Sequence, residues 1–208
     1  MIESFIFDMD GVLVDTVDLQ LRALTSAIEK TTGVSIDTPE NQSVLNSAET
    51  SVDKLTQLAS RGCFPHAKVE AIYKKKKEIT DQILLKVNPE TYKEKVEVFK
   101  YLKGLGKKVS IVTNANRFST QKFLKHLGLL EHLDLLITNN DVVKSKPHAE
   151  PYVRALIHLG EPIEKTIIFE DSEVGIISAA STGCRVVKIT SPFQINLDFI
   201  KEINGEKC

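Results

Sequence analysis

The sequence is short of cysteine, of net charge and of long apolar runs, and each shortage removes a class of function. Its three cysteines, Cys63, Cys184 and Cys208, are odd in number and widely spaced. They offer neither a disulfide framework nor a paired metal-ligand motif, so a reducing, cytoplasmic setting is expected. With 27 basic and 28 acidic residues the formal net charge is −1, so no nucleic-acid partner is expected. No apolar stretch approaches the roughly 20 residues that cross a bilayer. The N-terminus lacks a basic segment followed by a long apolar one, so neither a membrane partner nor a secretory signal is expected. His66, His126, His132, His148 and His158 do not fall at metal-ligand spacing. What remains is ordinary globular material. It amounts to 208 residues, 42% hydrophobic and 26% charged, enough for one large domain or a core domain with a small companion.

Short apolar runs rich in β-branched and aromatic residues recur along the chain. They are Phe5–Phe7, Lys108–Val112, Leu133–Ile137, Thr166–Phe169 and Arg185–Ile189. Such runs predict strands buried on both faces. Amphipathic stretches separate them: Glu94–Leu105, Ser119–Leu127, Pro151–Leu159 and Glu173–Ser181, each with a glycine just beyond its end. Strands alternating with helices predict a parallel sheet covered by helices. Residues 15–88 break the rhythm, with helical patterns at Asp15–Lys30, Thr50–Ser60 and Lys68–Val87 and no strand. An all-helical insert after the first strand predicts a separate small domain, with linkers near Val14–Thr16 and Asn88–Glu90.

Polar residues with chemical potential cluster where strands end: Asp8 and Asp10 after the first, Thr113 and Asn114 after the second, Glu170 and Asp171 after the fourth. In open parallel sheets ligands bind at the carboxyl ends of strands, so these residues are expected on one rim. Asp8 and Asp10 stand two apart, and in extended chain both face the same way. Close carboxylates repel unless a cation intervenes, and an all-oxygen acidic cluster suits Mg²⁺. Alone, Asp8-Met9-Asp10-Gly11 would pass for a turn or a helix cap. The apolar strand before it and the later acidic pair argue against that.

At this point the chain resembles a known family. Asp8-Met9-Asp10-Gly11-Val12-Leu13-Val14-Asp15-Thr16 is similar to the first motif of the haloacid dehalogenase superfamily. Thr113-Asn114 resembles the second motif, Lys146 to Tyr152 the third, and Phe169-Glu170-Asp171-Ser172-Glu173-Val174-Gly175-Ile176 the fourth. Ala149 departs from the family's usual proline. The resemblance implies a Rossmann-like α/β parallel-sheet core (1–14 and 89–208) with an inserted all-helical cap domain (15–88), as in the subfamily of β-phosphoglucomutase and sugar-phosphate phosphatases. It also implies an Mg²⁺-dependent, monomeric phosphatase of a small phosphorylated metabolite. Asp8 would be the nucleophile and Asp10 the acid and base. Asp8, the Asp10 carbonyl, Asp171 and Glu170 would hold the metal, and Thr113, Asn114 and Lys146 the phosphoryl group. Lys146, directly before Pro147, is preferred to Lys144.

Gln20 stands where the mutase relatives carry a histidine. An amide cannot shuttle protons, so hydrolysis is favoured over the alternative of a β-phosphoglucomutase-like phosphomutase. Asp10 disfavours a dehalogenase or a phosphonate hydrolase, whose relatives lack it. A non-catalytic phosphate-binding regulator would be expected to lose one of Asp8, Asp10, Lys146 or Asp171, and all four are present. His148 is the one histidine close enough to border the site. Lys74–Lys77 predicts a solvated helix face, with electrostatic steering of anions as the sharper alternative.

Overall fold

A computed structural model of the chain describes residues 2–47 and 49–205. Cys208 lies outside the described residues. The chain divides into two compact units, one of Met1–Asp15 with Asn88–Cys208 and the other of Thr16–Val87.

The first unit is built on five parallel strands: β1 (Ser4–Phe7), β2 (Lys108–Val112), β3 (Leu135–Ile137), β4 (Thr166–Glu170) and β5 (Arg185–Lys188). Their order is β3-β2-β1-β4-β5, which puts β1 at the centre. Helices α5 (Lys93–Gly104), α6 (Arg117–His126), α7 (Glu150–Leu159), α8 (Glu173–Ala180) and α9 (Leu197–Ile203) complete it. Alternation along the strands assigns side chains to two cores. Ile6, Val112 and Ile168 pack with Tyr152, Ala155 and Leu159 of α7 and Ala179 of α8. On the opposite face Phe7 stacks on Phe169 with ring centres 4.7 Å apart, and lies 5.3 Å from Phe99 of α5. This α/β parallel sheet is the architecture that the strand and helix patterns predict.

Two expectations need correction. The edge strands β3 and β5 are not buried on both faces: Leu135 and Leu136 are half-buried, Arg185 and Lys188 are exposed, and the two valines between them half-buried. Charged residues on the β5 edge discourage pairing with another chain. Glu170 does not follow β4 but is its last residue, fully buried.

The second unit is helical: α1 (Val17–Thr32), α2 (Pro39–Leu45), α3 (Ser51–Ser60) and α4 (Val69–Leu84). Ala23, Leu24, Ala27 and Ile28 of α1 bury against Leu55 and Leu58 of α3 and Ile72 and Ile79 of α4. Sequence periodicity does not predict α2, which is short. Thr38 caps it by accepting from the Asn41 N–H, and Pro39 occupies its first turn. The lysine run lies on α4. Lys75 pairs with Glu78 at 2.9 Å, Lys77 sits over the Tyr73 ring, and Lys76 donates to Gln20 on α1 at 2.5 Å. Lys74 and Lys77 are exposed, and Lys75 and Lys76 half-buried.

Candidate active site

Register brings the site together. β1 runs beside β4 with Phe7 opposite Phe169, and beside β2 with Phe7 opposite Ile111. One residue further on, Asp8 falls between Glu170 and Val112. The Asp8 N–H continues the ladder to the Phe169 carbonyl at 2.9 Å. By alternation Asp8 and Glu170 share the α7–α8 face with Ile6 and Ile168. Asp8, Glu170 and Asp171 each present an oxygen within 4.8 Å of the others.

Lys146 enters this group from the loop before α7. Its Nζ donates to Asp8 Oδ1 at 2.5 Å, Glu170 Oε1 at 2.6 Å and the Val112 carbonyl at 2.8 Å. The three donors of an ammonium are thereby used. Burial pulls the Lys146 pKa down, but the Asp8 and Glu170 charges more than offset it, and the group is held above its ordinary value. Burial pushes the Asp8 carboxyl well above the carboxylate range. Lys146 opposes that shift, while the charges of Glu170 and Asp10 add to it. Burial, then Glu170, raises Asp171 in the same sense. Three carboxylates share one ammonium, so the cluster keeps an excess of negative charge that a divalent cation would relieve. The donors are all oxygen and close enough to share an ion, so the residues fit Mg²⁺.

Two glycines give the carboxylates room. Gly11 has φ +86°, and a Cβ there would lie 2.1 Å from Asp171 Oδ2. Gly175, on the first turns of α8, faces Glu170, where a Cβ would lie 2.1 Å from the carboxyl carbon. The close approach at Gly175 is one of helix backbone to this carboxylate.

The remaining predicted residues take more specific places. Thr113 is buried, and its Oγ1 accepts from the Ala115 N–H at 3.1 Å. The Asn114 side chain clamps the Lys146 backbone, accepting from its N–H at 3.1 Å and donating to its carbonyl at 3.3 Å. This clamp is not legible in the sequence, because the partners are far apart in the chain. Asp10 is not in the three-carboxylate group; its backbone bridges to Val14 in the tight turn that follows β1. The His148 side chain is exposed, and its carbonyl accepts from Ser178 Oγ at 2.5 Å.

Lys144 is exposed, and its N–H donates to Glu150 Oε2 at 2.8 Å while that of Val143 donates to Oε1 at 2.9 Å. Those backbone bonds hold the Glu150 carboxyl below its usual range. Glu150 thus ties down the loop that delivers Lys146. Glu150→Gln is expected to speed amide hydrogen exchange at residues 143 and 144 with little change elsewhere, since it weakens a local tether.

Tyr152 lies on α7 and is fully buried. Its hydroxyl donates to Glu170 Oε1 at 2.5 Å, and its ring centre lies 4.8 Å from Lys146 Nζ. Burial, then the Glu170 charge, lifts its pKa well above that of an ordinary tyrosine. The available signal was a tyrosine where any apolar residue would fill the core, because a buried hydroxyl needs a partner.

The chain is similar to known proteins. Over 102 residues the chain is 37% identical to glycerol-1-phosphate phosphohydrolase 2 of Saccharomyces cerevisiae, covering 46% of this chain and 40% of that one. The chain thus spans about two fifths of that yeast relative. With the phosphorylated carbohydrates phosphatase of Thermotoga maritima the identity is 28%, over 87% of this chain and 82% of that one. Among solved structures, β-phosphoglucomutase from Clostridium difficile superposes with a TM-score of 0.74 at 22% identity, covering 97% of this chain and 96% of the other. At that identity the likeness is one of fold. The family profile of the haloacid dehalogenase-like hydrolases matches residues 5–189. Strand order, acidic rim and profile agree, and the chain belongs to the haloacid dehalogenase-like hydrolases.

Proposed function

We propose that this protein is an Mg²⁺-dependent phosphatase that hydrolyses a small phosphomonoester, a sugar phosphate first, through an aspartyl-phosphate on Asp8. The observation that carries this reading is the buried Lys146 ammonium shared by Asp8 and Glu170. It sets a positive charge against the nucleophilic carboxylate and opposes the burial that raises its pKa.

Asp8 attacks phosphorus, and the bond from phosphorus to the ester oxygen breaks. Asp10 gives its proton to that oxygen, then takes one from the water that attacks the Asp8 phosphoryl group and releases phosphate. The Thr113 oxygen accepts from Ala115 N–H, which leaves its hydroxyl proton to donate to a phosphoryl oxygen, with the Asn114 N–H as a further donor. Asp8, Asp171 and the Asp10 carbonyl would hold Mg²⁺, with Glu170 beside them. When bound, the metal supplies positive charge against the phosphoryl oxygens and orients them. Residues 16–87 occupy the place in chain order of the subfamily's cap, and we assign them substrate selection. On α1, Gln20 accepts from Lys76, which gives no proton shuttle for the mutase alternative.

Phosphate release from sugar phosphates, glycerol phosphate, phosphoglycolate, nucleotides and an aryl phosphate, with and without Mg²⁺, tests the reading. Release is expected to need Mg²⁺ and to fall by about 10³-fold or more in Asp8→Asn, as when other covalent nucleophiles are removed. No release by the intact chain across the panel, or release that survives Asp8→Asn, would overturn it.

A further inference from the structure

Glu170 is bonded in a way that its place in an acidic cluster does not require. Its Oε1 accepts from Tyr152 Oη at 2.5 Å and from Lys146 Nζ at 2.6 Å. Two short donors thus engage one carboxylate oxygen, which has two lone pairs to accept them. Its Oε2 turns back to the Asp171 N–H at 3.2 Å and Ser172 Oγ at 3.5 Å. Gly175 closes over the group, leaving no space for a side chain between helix and carboxylate. Phenylalanine would fill the same core volume as Tyr152, and burying the extra hydroxyl costs stability unless it is bonded.

We infer that Tyr152 is a positioning residue: its hydroxyl fixes Glu170 as the counter-ion of Lys146, not as a cation ligand, and so keeps the ammonium on Asp8 Oδ1. This deepens the phosphatase reading and rests on it for its catalytic consequence. Without the hydroxyl, Glu170 Oε1 is released to turn toward a cation bound at Asp8 and Asp171, and Lys146 loses its fixed anchor. The ring, which faces the Lys146 ammonium, is retained in Tyr152→Phe, so that variant isolates the hydroxyl.

The test is calorimetric titration of Mg²⁺ into the wild type and Tyr152→Phe without substrate, beside kcat, KM and the thermal midpoint. Mg²⁺ is expected to bind several-fold tighter in the variant, while kcat falls by about 10- to 100-fold, the worth of one hydrogen bond to a charged group. A loosened fold would weaken metal binding and activity together; opposite movement marks positioning. In a Glu170→Gln background the same substitution is expected to leave Mg²⁺ affinity unchanged, since the coupling runs through that carboxylate. Unchanged or weaker Mg²⁺ binding in Tyr152→Phe, the same tightening in the Glu170→Gln background, or no Mg²⁺ binding by the wild type would overturn the inference. Failure of the phosphatase reading shows separately, as a wild type that releases no phosphate, and the calorimetric comparison stands without it.

Discussion

Lys146→Met is expected to destabilise the protein by about 3–5 kcal/mol near neutral pH, the usual result of removing one partner from a buried ion group. Methionine keeps most of the length of the side chain but none of its three donations, to Asp8, Glu170 and the Val112 carbonyl. The two carboxylates would then be buried beside one another without their cation. The pair would respond by taking up a proton, and the folded-state pKa of Asp8, already raised by burial, would rise further once Lys146 no longer opposes it. A raised acid pKa means that the folded state binds more protons than the unfolded one. Stability then grows as pH falls toward the unfolded carboxylate values. The deficit of the variant should therefore shrink between pH 7.5 and pH 5. Urea unfolding at both values, with a chelator to remove divalent cations, measures it. A deficit below about 1 kcal/mol at neutral pH, the range of surface ion pairs, would show that Lys146 is not the charge balance of the site. Phosphate release should fall by about 100-fold or more, in line with the loss of a preorganised electrostatic group.

Gly175→Ala is expected to reverse the usual sign of a helical glycine substitution. In open surroundings such a change gains up to about 1 kcal/mol from backbone entropy. Gly104, in the last turn of α5 with no atom close to a built Cβ, provides that control. At Gly175 the new methyl would coincide with the Glu170 carboxylate. Either α8 lifts from the sheet or Glu170 leaves its four donors. Overpacking costs about 1–3 kcal/mol, and a displaced Glu170 adds the loss of the Lys146 anchor. We therefore expect Gly175→Ala to lose both stability and activity while Gly104→Ala gains slightly in stability with activity intact. Thermal midpoints and phosphate release of the two variants side by side decide it. Equal behaviour of the two would refute the close approach.

Much of this was legible in the sequence because it rests on local pattern. The apolar runs set all five strands within two residues. Glycines 106, 128 and 160 marked helix ends because left-handed backbone there favours glycine, and all three have positive φ. Helices α2 and α9 were missed: each has seven residues, too short for a periodic stripe to stand out. Their signals were the caps, Thr38-Pro39 before one and Asn196 before the other. In the site, strand ends located Asp8, Thr113, Asn114, Glu170 and Asp171. The bonds that Lys146, Asn114 and Tyr152 make depend on β1 lying between β2 and β4, and no window of sequence encodes that register. The exposure of β5 likewise comes from its place at the edge and not from its composition, which is as apolar at its centre as that of a buried strand.

The central position of β1 has a consequence for how the protein is made. Phe5, Ile6 and Phe7 are translated before both of their partners, residues 108–112 and 166–170. Until β4 leaves the ribosome the middle of the sheet has a vacant side, and three large apolar residues wait for it. Contacts so distant in sequence slow folding, and unpaired strands are the parts most prone to wrong association. The helical unit that follows β1 draws its core from within residues 16–87 and can close first. Synthesis is therefore expected to leave a folded helical unit trailing an exposed first strand for most of the chain's length. Nascent chains arrested before residue 166 should be caught by chaperones that recognise short apolar segments, and chains released after β5 should escape them.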